Sequence, residues 1–445
     1  MSWHKVYDRR RRTIAALAVL ACVPALTTAA PGARAQAPSA AQCSGDHWVG
    51  SWTASASDAL SLLDASLRPF LSVADQSYRI VLTPHRGGGT VRIHLSNRLR
   101  PLPMTVDHVT IAAQDDGARV RAESVRAVTF DGRPGLTLAP GSEAISDPVD
   151  FPAAAWESIA VSVHAPELAV LPSEHFGANA TSYYTLPGAG DRTAETTGAD
   201  YVLSTTAAPL VSGLDVLAPA GVSSVVALGD SITDGYVAGN YLGYPQLDSV
   251  VDTDSRYPDF LQRRLDAAGI SMVTLDAGIS GNQLLAPGLI PMFGPGAAER
   301  VETDVIAQAG VTDVIVLEGI NDLDNPLGAN FDQLVTGYTD LIARLHRAGL
   351  RVHLGTLTPT SNSLLGGPIV APRQDPTRIR LNDWIRAQRL SDTVIDFAAA
   401  LQDPANPSAL DPRFAGPDHL HPNPAGYQAM AEAVTLTDLG GNGCA

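Results

Sequence analysis

The chain divides into two parts that differ in the spacing of their hydrophobic residues. Between residues 44 and 215, short segments alternate apolar and polar side chains, as half-buried β-strands do, and Thr90–Asn97 is the clearest of them. Turn sequences such as Gly87-Gly88-Gly89 and Asp131-Gly132 separate the segments. Further strands are predicted at Tyr78–Leu82, His108–Ala112, Ala127–Phe130, Gly135–Leu138 and Ser158–His164. Many short strands with little helical pattern predict an N-terminal all-β domain, a sandwich or jelly roll, over residues 44–215.

From about residue 220, apolar strands alternate with helices, which predicts an α/β domain over residues 216–445. Phe331–Ala348 is the clearest helix, because Leu334, Tyr338 and Leu341 share one face. The other helices are predicted at Tyr257–Ala268, Ala297–Ala309, Thr377–Gln388 and Pro424–Val434, and the strands at Val222–Leu228, Met272–Ala277, Val311–Leu317, Arg351–Leu357 and Thr393–Phe397. Continuous apolar strands of this kind form a parallel sheet with helices on both faces. Sites in such sheets form at the carboxyl ends of the strands.

The first 35 residues have the features of a secretory signal peptide, so we expect a secreted protein. Arg9 to Arg12 give a positive segment, an apolar segment follows from Thr13 to Leu26, and Ala33-Arg34-Ala35 offers a cleavage site. The consecutive arginines leave both the general and the twin-arginine export routes open. The alternative is a membrane anchor, but the apolar segment is shorter than the roughly 20 residues of a spanning helix. We therefore expect no stable membrane anchor.

Cleavage after Ala35 leaves two of the three cysteines, Cys43 and Cys444. An even pair of cysteines in an exported protein is a disulfide candidate. Because the two residues lie near opposite ends of the mature chain, this bond would join its termini. Two free thiols are the alternative.

Charge and lysine content exclude several functions. The formal net charge of −16 becomes −21 without residues 1–35, which leaves 24 basic against 45 acidic side chains. Such an acidic chain lacks the basic footprint of a general nucleic-acid-binding protein. Lys5 is the only lysine, so the mature chain has no residue for a Schiff base, a serine–lysine dyad or a Walker loop. We therefore expect neither nucleic acid as a partner nor pyridoxal phosphate as a cofactor.

Three predicted strand ends carry polar clusters. Gly229-Asp230-Ser231 follows the first strand, Gly278–Asn282 the second and Gly319–Asp322 the third, while Asp418–His421 precedes the last helix. Each cluster alone could be a turn or a helix cap, but their joint position favours a catalytic site at one edge of the sheet. Neither a G-x-S-x-G elbow nor an H-E-x-x-H metal motif occurs in the chain.

This order of motifs resembles the SGNH hydrolases, also called GDSL esterases/lipases, over about residues 222–435. Ile232 stands where the GDSL name has leucine. The resemblance implies a flavodoxin-like parallel sheet for the second half. The first half begins with His47-Trp48-Val49-Gly50-Ser51-Trp52 and is similar to the N-terminal regions of larger secreted members of the family.

The resemblance implies a catalytic triad. Ser231 would be the nucleophile, His421 would accept its proton, and Asp418 would hold the imidazole in the required tautomer. His419 is the rival base, but the three-residue spacing from Asp418 favours His421. The mechanism needs no cofactor and no metal.

The same resemblance implies an oxyanion hole. The N–H groups of Ser231 and Gly281 and the side-chain amide of Asn321 would bind the negative oxygen of the intermediate. The neighbouring carboxylates are expected to brace loops rather than to react; they belong to Asp230, Asp234, Glu318 and Asp322.

These expectations converge on a secreted serine esterase that hydrolyses carboxylic esters through an acyl-enzyme. Its ester substrate could be a lipid or simple acyl ester, or an O-acetylated carbohydrate. Acyl transfer to another alcohol would use the same site. A non-catalytic binding or wall-associated protein on the same scaffold is the competing class. A protein of that class would be expected to have lost some catalytic residues, whereas the triad and oxyanion-hole positions of all four motifs are intact.

Overall fold

A computed structural model describes most of the second unit of the chain, Pro38–Ala445. The described residues are 45–59, 62–69, 74–167, 172–324, 328–364 and 374–440. The predicted signal peptide, Cys43 and Cys444 lie outside them. Within these ranges, no helix is long and apolar enough to cross a membrane.

The first half is rich in β-strands, as predicted. They are β1 (His47–Thr53), β2 (Gln76–Leu82), β3 (Gly88–Ser96), β4 (Met104–Val106), β5 (His108–Asp116), β6 (Arg119–Val120), β7 (Arg126–Val128), β8 (Leu136–Leu138), β9 (Glu143–Ile145), β10 (Val149–Ala153), β11 (Ile159–Ala165), β12 (Glu174–His175), β13 (Ser182–Tyr184), β14 (Leu203–Thr205), β15 (Ala208–Pro209) and β16 (Val211–Ala218). We call this half the β-rich region.

Two antiparallel sheets of the β-rich region share one hydrophobic core. The first has the order β1–β16–β3–β10, and the second has the order β14–β13–β2–β11–β5–β6. Ile93 and Leu214 enter the core from the first sheet, and Ile80, Ile111 and Val161 enter it from the second. In β3, buried and partly exposed residues alternate, as the sequence pattern predicted. The jelly-roll topology stays a prediction.

The second half contains a parallel sheet and seven helices among its described residues. The strands are β17 (Ser223–Gly229), β18 (Met272–Gly278), β19 (Val311–Leu317), β20 (Arg351–Gly355) and β21 (Thr393–Ile395), with a hairpin of β22 (Gln402–Asp403) and β23 (Asn406–Leu410). The helices are α1 (Tyr257–Ala268), α2 (Ala297–Val301), α3 (Ile320–Asp324), α4 (Phe331–Arg347), α5 (Gln374–Ala387), α6 (Phe397–Leu401) and α7 (Pro424–Ala433).

The parallel sheet has the order β18–β17–β19–β20–β21. Numbered along the chain, this is 2-1-3-4-5, the flavodoxin-like order of a doubly wound sheet. The expected α/β fold is therefore confirmed. Because the order reverses beside β17, the carboxyl ends of β17, β18 and β19 meet at the position where such sheets form their sites.

The first strand of the β-rich region lies against the parallel sheet. Thr53 Oγ1 donates to the carbonyl of Asp276 at 2.7 Å, and Gly50 N–H donates to the carbonyl of Ala309 at 2.9 Å. Val49 is buried in the same core as the strands of the parallel sheet. The two halves are thus packed together within one compact unit, and the boundary at residue 216 stays a prediction.

Candidate active site

Ser231 lies in a tight turn directly after β17. The N–H of Asp234 donates to the carbonyl of Asp230 at 2.9 Å, and that of Tyr236 donates to the carbonyl of Ser231 at 2.9 Å. The turn packs closely on the end of β18, where a Cβ on Gly278 would lie only 2.3 Å from the Asp234 nitrogen. Glycine at this position therefore allows the serine turn and the end of the neighbouring strand to approach each other.

Ser231, His421 and Asp418 form a continuous hydrogen-bonded chain. His421 Nε2 lies 2.8 Å from Ser231 Oγ, and His421 Nδ1 lies 2.6 Å from Asp418 Oδ2. The N–H of His421 also donates to Asp418 Oδ1 at 3.1 Å. All three residues are at most 7% exposed. Nucleophile, base and orienting carboxylate are thus within hydrogen-bond reach of one another.

Charge pairing between Asp418 and His421 shifts the pKa values of both residues. Burial alone would lower the pKa of His421, but the negative charge of Asp418 and its hydrogen bond outweigh this, so the pKa of His421 is raised. Burial would likewise raise the pKa of Asp418, yet the pairing with His421 lowers it. Asp418 is therefore ionised at neutral pH and stabilises the positive form of the imidazole.

His419 lies elsewhere. Its side chain is exposed, and its Nδ1 lies 3.3 Å from Asn362 Nδ2. The geometry therefore joins His421, and not the rival His419, to Ser231.

Gly281 and Asn321 line the same pocket as Ser231 and His421. Gly281 has a φ of 77°, and a Cβ there would lie 2.3 Å from the ring of Phe293, so the position requires glycine. Asn321 is the second residue of α3 and donates through Nδ2 to the carbonyl of Asn282 at 2.8 Å. This bond fixes the amide on the loop that carries Gly281.

Asp230 and Asp322 hold loops, as expected, whereas the carboxylate of Glu318 makes no hydrogen bond within the described residues. Asp322 accepts the N–H groups of Leu284 at 2.6 Å and of Leu285 at 3.1 Å, and Asp230 accepts that of Ile232 at 2.9 Å. Burial raises the pKa of Asp230 to about 7. The carboxylates of Asp230 and Asp322 brace the turn around Ser231 and the loop after β18.

Arg300 connects the carboxyl ends of β17 and β18. Its fully buried guanidinium donates to the carbonyl of Gly229 at 2.9 Å, to that of Ala277 at 2.7 Å and to Asn282 Oδ1 at 3.0 Å. Burial and the charge of Asp230 raise the pKa of Glu318, which lies 3.6 Å from Arg300. No local sequence signal marked Arg300, because Glu299, Glu302 and Asp304 surround it in the sequence and make the segment look like an ordinary charged helix face.

The β-rich region reaches the site through His175. His175 Nε2 lies 3.1 Å from Asp234 Oδ1, and its Nδ1 lies 2.8 Å from the carbonyl of Ser55. The other oxygen of Asp234 accepts both the N–H of Ser280 at 3.1 Å and its hydroxyl at 2.7 Å. His175 is therefore connected through Asp234 to the residue before Gly281. No local sequence signal marked His175.

The pocket has a volume of about 650 Å³ and an apolar lining. The β-rich region contributes Asp58, Leu62, Leu63, Leu67 and Phe176. The α/β half contributes apolar side chains from several loops, including Tyr236, Leu242, Tyr244, Ile290, Met292, Phe293 and Leu420. Both halves therefore build the cavity that opens on Ser231.

One group outside this pocket has the composition of a metal site among the described residues. It consists of Asp107, His108 and His164 in the β-rich region. His164 Nδ1 lies 2.7 Å from Asp107 Oδ1, and its Nε2 lies 3.1 Å from Asp75 Oδ1. These carboxylates already account for both ring nitrogens.

Comparisons with solved structures returned esterases and lipases of low similarity. An inhibitor-bound aryl esterase of M. smegmatis is 16% identical, with 47% of this chain and 95% of that chain covered at a TM-score of 0.38. A carbohydrate acetylesterase from Sinorhizobium meliloti is 14% identical, with 47% and 95% covered at 0.36. A lipase/acylhydrolase from Enterococcus faecalis is 20% identical, with 47% and 92% covered at 0.34. Similarities this low carry no argument about a substrate, and a comparison with curated proteins found no match.

A family model matches the second half of the chain directly. It describes the GDSL-like Lipase/Acylhydrolase family and covers residues 227–429. The matched segment includes the serine turn, the loop after β18, the start of α3 and the Asp418–His421 segment. Residues 227–429 of this chain therefore form a domain of the GDSL-like lipase/acylhydrolase family.

Proposed function

We propose that this chain is a secreted serine esterase that hydrolyses carboxylic esters through an acyl-enzyme intermediate. The observation that carries the proposal is the hydrogen-bonded chain from Asp418 through His421 to Ser231, which opens on a large pocket. A buried serine turned toward an imidazole has the geometry of an activated nucleophile. The family match supports ester hydrolysis as the reaction class.

In the first step, Ser231 Oγ attacks the acyl carbon while its proton passes to His421 Nε2. The carbonyl oxygen becomes negative in the tetrahedral intermediate. Collapse of the intermediate expels the alcohol, which takes the proton from His421. In the second step His421 removes a proton from water, the hydroxide attacks the acyl carbon, and the acid leaves as Ser231 recovers its proton.

The oxyanion hole is assigned to the N–H groups of Ser231 and Gly281 and to Asn321 Nδ2. Asn321 uses one amide hydrogen on the carbonyl of Asn282, and an amide nitrogen has a second hydrogen to donate. Donors held in place before the reaction need no reorganisation when the charge develops.

The substrate proposed is an ester with an apolar acyl or alkyl group. The pocket lining is mostly leucine, isoleucine, methionine and aromatic side chains from both halves. Recognition of an acetylated carbohydrate would require several polar groups for the sugar hydroxyls. With a lining of this composition, substrate binding instead becomes more favourable with each methylene group that leaves water.

A series of p-nitrophenyl esters from acetate to decanoate tests both parts of this proposal. We expect kcat/KM to rise from acetate to longer chains, by up to about fourfold for each buried methylene. Ser231→Ala, checked for folding by circular dichroism, is the control. Absence of turnover at every chain length by folded protein would refute the esterase assignment. A preference for acetate would refute only the apolar substrate.

Export and the disulfide complete the proposal. His47 Nε2 lies 2.9 Å from the carbonyl of Val222, before β17, and Gly440 N–H donates to Asp313 Oδ1 at 2.8 Å, near the start of β19. Both ends of the described chain thus reach the amino edge of the parallel sheet, which supports a Cys43–Cys444 bond. Mass spectrometry of protein from the culture medium, with and without reduction, should give an N-terminus at Gln36 and no free thiol.

A further inference from the structure

Exposed apolar side chains surround the mouth of the pocket. We call six of them the apolar rim: Leu62, Leu67, Tyr241, Leu242, Leu289 and Ile290. Each is between 39% and 66% exposed. They come in pairs from three loops, and one or both members of each pair line the pocket. Single exposed leucines are common in proteins, but a continuous apolar surface around a cavity marks an interaction site.

Two of the three rim loops are also free of charge. No charged residue occurs from Gly235 to Leu247 or from Ala277 to Ala298, although 17% of the chain is charged. The loop of the first pair carries Asp64, which is buried, and Arg68, which lies 3.7 Å from the carboxylate of Asp248. The Tyr241/Leu242 and Leu289/Ile290 pairs can therefore leave water without desolvating an ionised group of their own loops.

We infer that the apolar rim docks the protein on a neutral or zwitterionic lipid surface, from which an ester chain enters the pocket. The inference rests on the proposed function, because esters with long apolar groups are presented to a soluble enzyme in aggregates. An uncharged rim on a chain of net charge −16 offers nothing to attract an anionic surface. A lipid surface fits better than a second copy, which would close the mouth and oppose like charges.

The two rim residues that do not line the pocket provide a test that leaves the pocket lining intact. Tyr241 and Leu289 are 60% and 66% exposed and do not line the pocket. The test variant is Tyr241→Ser/Leu289→Ser, and the matched control is Val202→Ser/Leu390→Ser. Val202 and Leu390 are 60% and 43% exposed, and Leu390 precedes β21, at the opposite edge of the sheet. All proteins begin at Gln36, so that the apolar N-terminal segment cannot contribute.

Binding to phosphatidylcholine vesicles is measured by sedimentation in the Ser231→Ala background, and turnover is measured with the active serine. Transfer of one leucine side chain to hydrocarbon favours binding by roughly ten- to hundredfold. We expect the rim variant to lose about tenfold or more in partition coefficient, and a similar factor in rate on emulsified tributyrin. The control pair should retain both. Monomeric p-nitrophenyl butyrate should be hydrolysed equally by all active proteins.

Three results would overturn the inference. They are absence of vesicle binding by the parent protein, equal binding by rim and control variants, and a dimer in analytical ultracentrifugation that the rim variant dissociates. The last result would assign the rim to a second copy. Vesicle binding without hydrolysis of any ester by the active-serine protein would instead refute the proposed function and leave the docking surface standing.

Discussion

The bond between Ser231 and His421 makes the sharpest prediction for single side chains. His421→Ala and Ser231→Ala should each lower kcat for p-nitrophenyl butyrate by about 10⁴-fold or more, because either change removes the activated nucleophile. His419→Ala should keep the parent rate, since His419 is exposed and lies near Asn362 instead. Equal losses at His419 and His421 would contradict the assignment of the base. Circular dichroism of each variant confirms folding.

The charge of Asp418 makes a second prediction, on the pH profile. His421 must be neutral to accept the serine proton, and its raised pKa places the half-maximum of kcat/KM above the ordinary histidine value of 6.5. Asp418→Asn removes the negative charge that raises this pKa. The acid limb of the profile should therefore move to lower pH. The maximal rate should also fall, since the equivalent Asp→Asn change in the Ser-His-Asp triad of a serine protease lowers kcat by about 10⁴-fold. An unmoved acid limb would contradict the role of Asp418.

The sequence predicted these site residues because each follows a strand end or precedes a helix with a clear start. In parallel sheets such positions converge, so Ser231, Gly281 and Asn321 could be placed at one edge without knowledge of the loops. The hydrogen bond from the Asn321 side chain to the carbonyl of Asn282 and the four hydrogen bonds of Arg300 could not be predicted, because they depend on side-chain orientation.

Among the elements, long and strongly periodic segments were predicted within a few residues. The helix Tyr257–Ala268 and the strand Val311–Leu317 have the predicted bounds. The helix predicted over Ala297–Ala309 was wrong in its second half, where a π-helical turn occupies Glu302–Ile306. A π turn has no distinct hydrophobic period, so the pattern could not distinguish it. The helix α3 has five residues, fewer than a periodic pattern needs.

The loop after β18 depends on an element from the other half, and His175 tests this dependence. His175→Gln keeps one hydrogen bond but removes the positive charge beside Asp234, which holds the Ser280 hydroxyl and N–H. We expect kcat to fall by about tenfold with KM little changed, because a displaced oxyanion donor acts on the transition state.

The matched control for this positioning role is His164→Gln. His164 is also buried between carboxylates, Asp75 and Asp107, but it lies within the β-rich region and has no bond to the loop. This variant should keep the parent kcat even where it lowers the thermal midpoint. A parallel loss of kcat in both variants would show that His175 acts only through stability.

At the scale of the whole molecule, the β-rich region and the α/β half form the pocket together. Phe176 and the leucines at 62, 63 and 67 come from the first half, while Ser231 and His421 come from the second. The sequence pattern identified each half from its own period, but period describes only local structure. Contacts between the halves depend on how the two folded parts pack, so the contribution of the first half to the pocket could not be predicted.

Two buried histidines between the halves predict how stability depends on pH. His85 Nδ1 lies 2.7 Å from the carbonyl of Thr274, and its Nε2 lies 3.0 Å from Asp259 Oδ1. His175 is placed in the same way between the carbonyl of Ser55 and Asp234. Because all four partners are acceptors, these contacts favour the doubly protonated, positive form of both rings.

Burial would lower the pKa of His85 and His175, but the paired carboxylates outweigh it, so both pKa values are raised above 6.5. Their stabilisation is complete below the unfolded value of about 6.5 and is lost as the pH rises through the folded-state values. For Asp234 and Asp259, burial is likewise outweighed, and their pKa values are lowered. Their stabilisation is complete above about pH 4 and is lost as the pH falls.

These four groups therefore place the highest stability between about pH 4 and 6.5, and they predict a lower urea midpoint at pH 8.5 than at pH 5.5. His85→Gln/His175→Gln should be less stable than the parent at pH 5.5 and should show a smaller difference in urea midpoint between the two pH values, because it lacks two of the raised histidine pKa values. If the urea midpoint of the double variant changed between the two pH values as much as that of the parent, other groups would govern the loss of stability at alkaline pH.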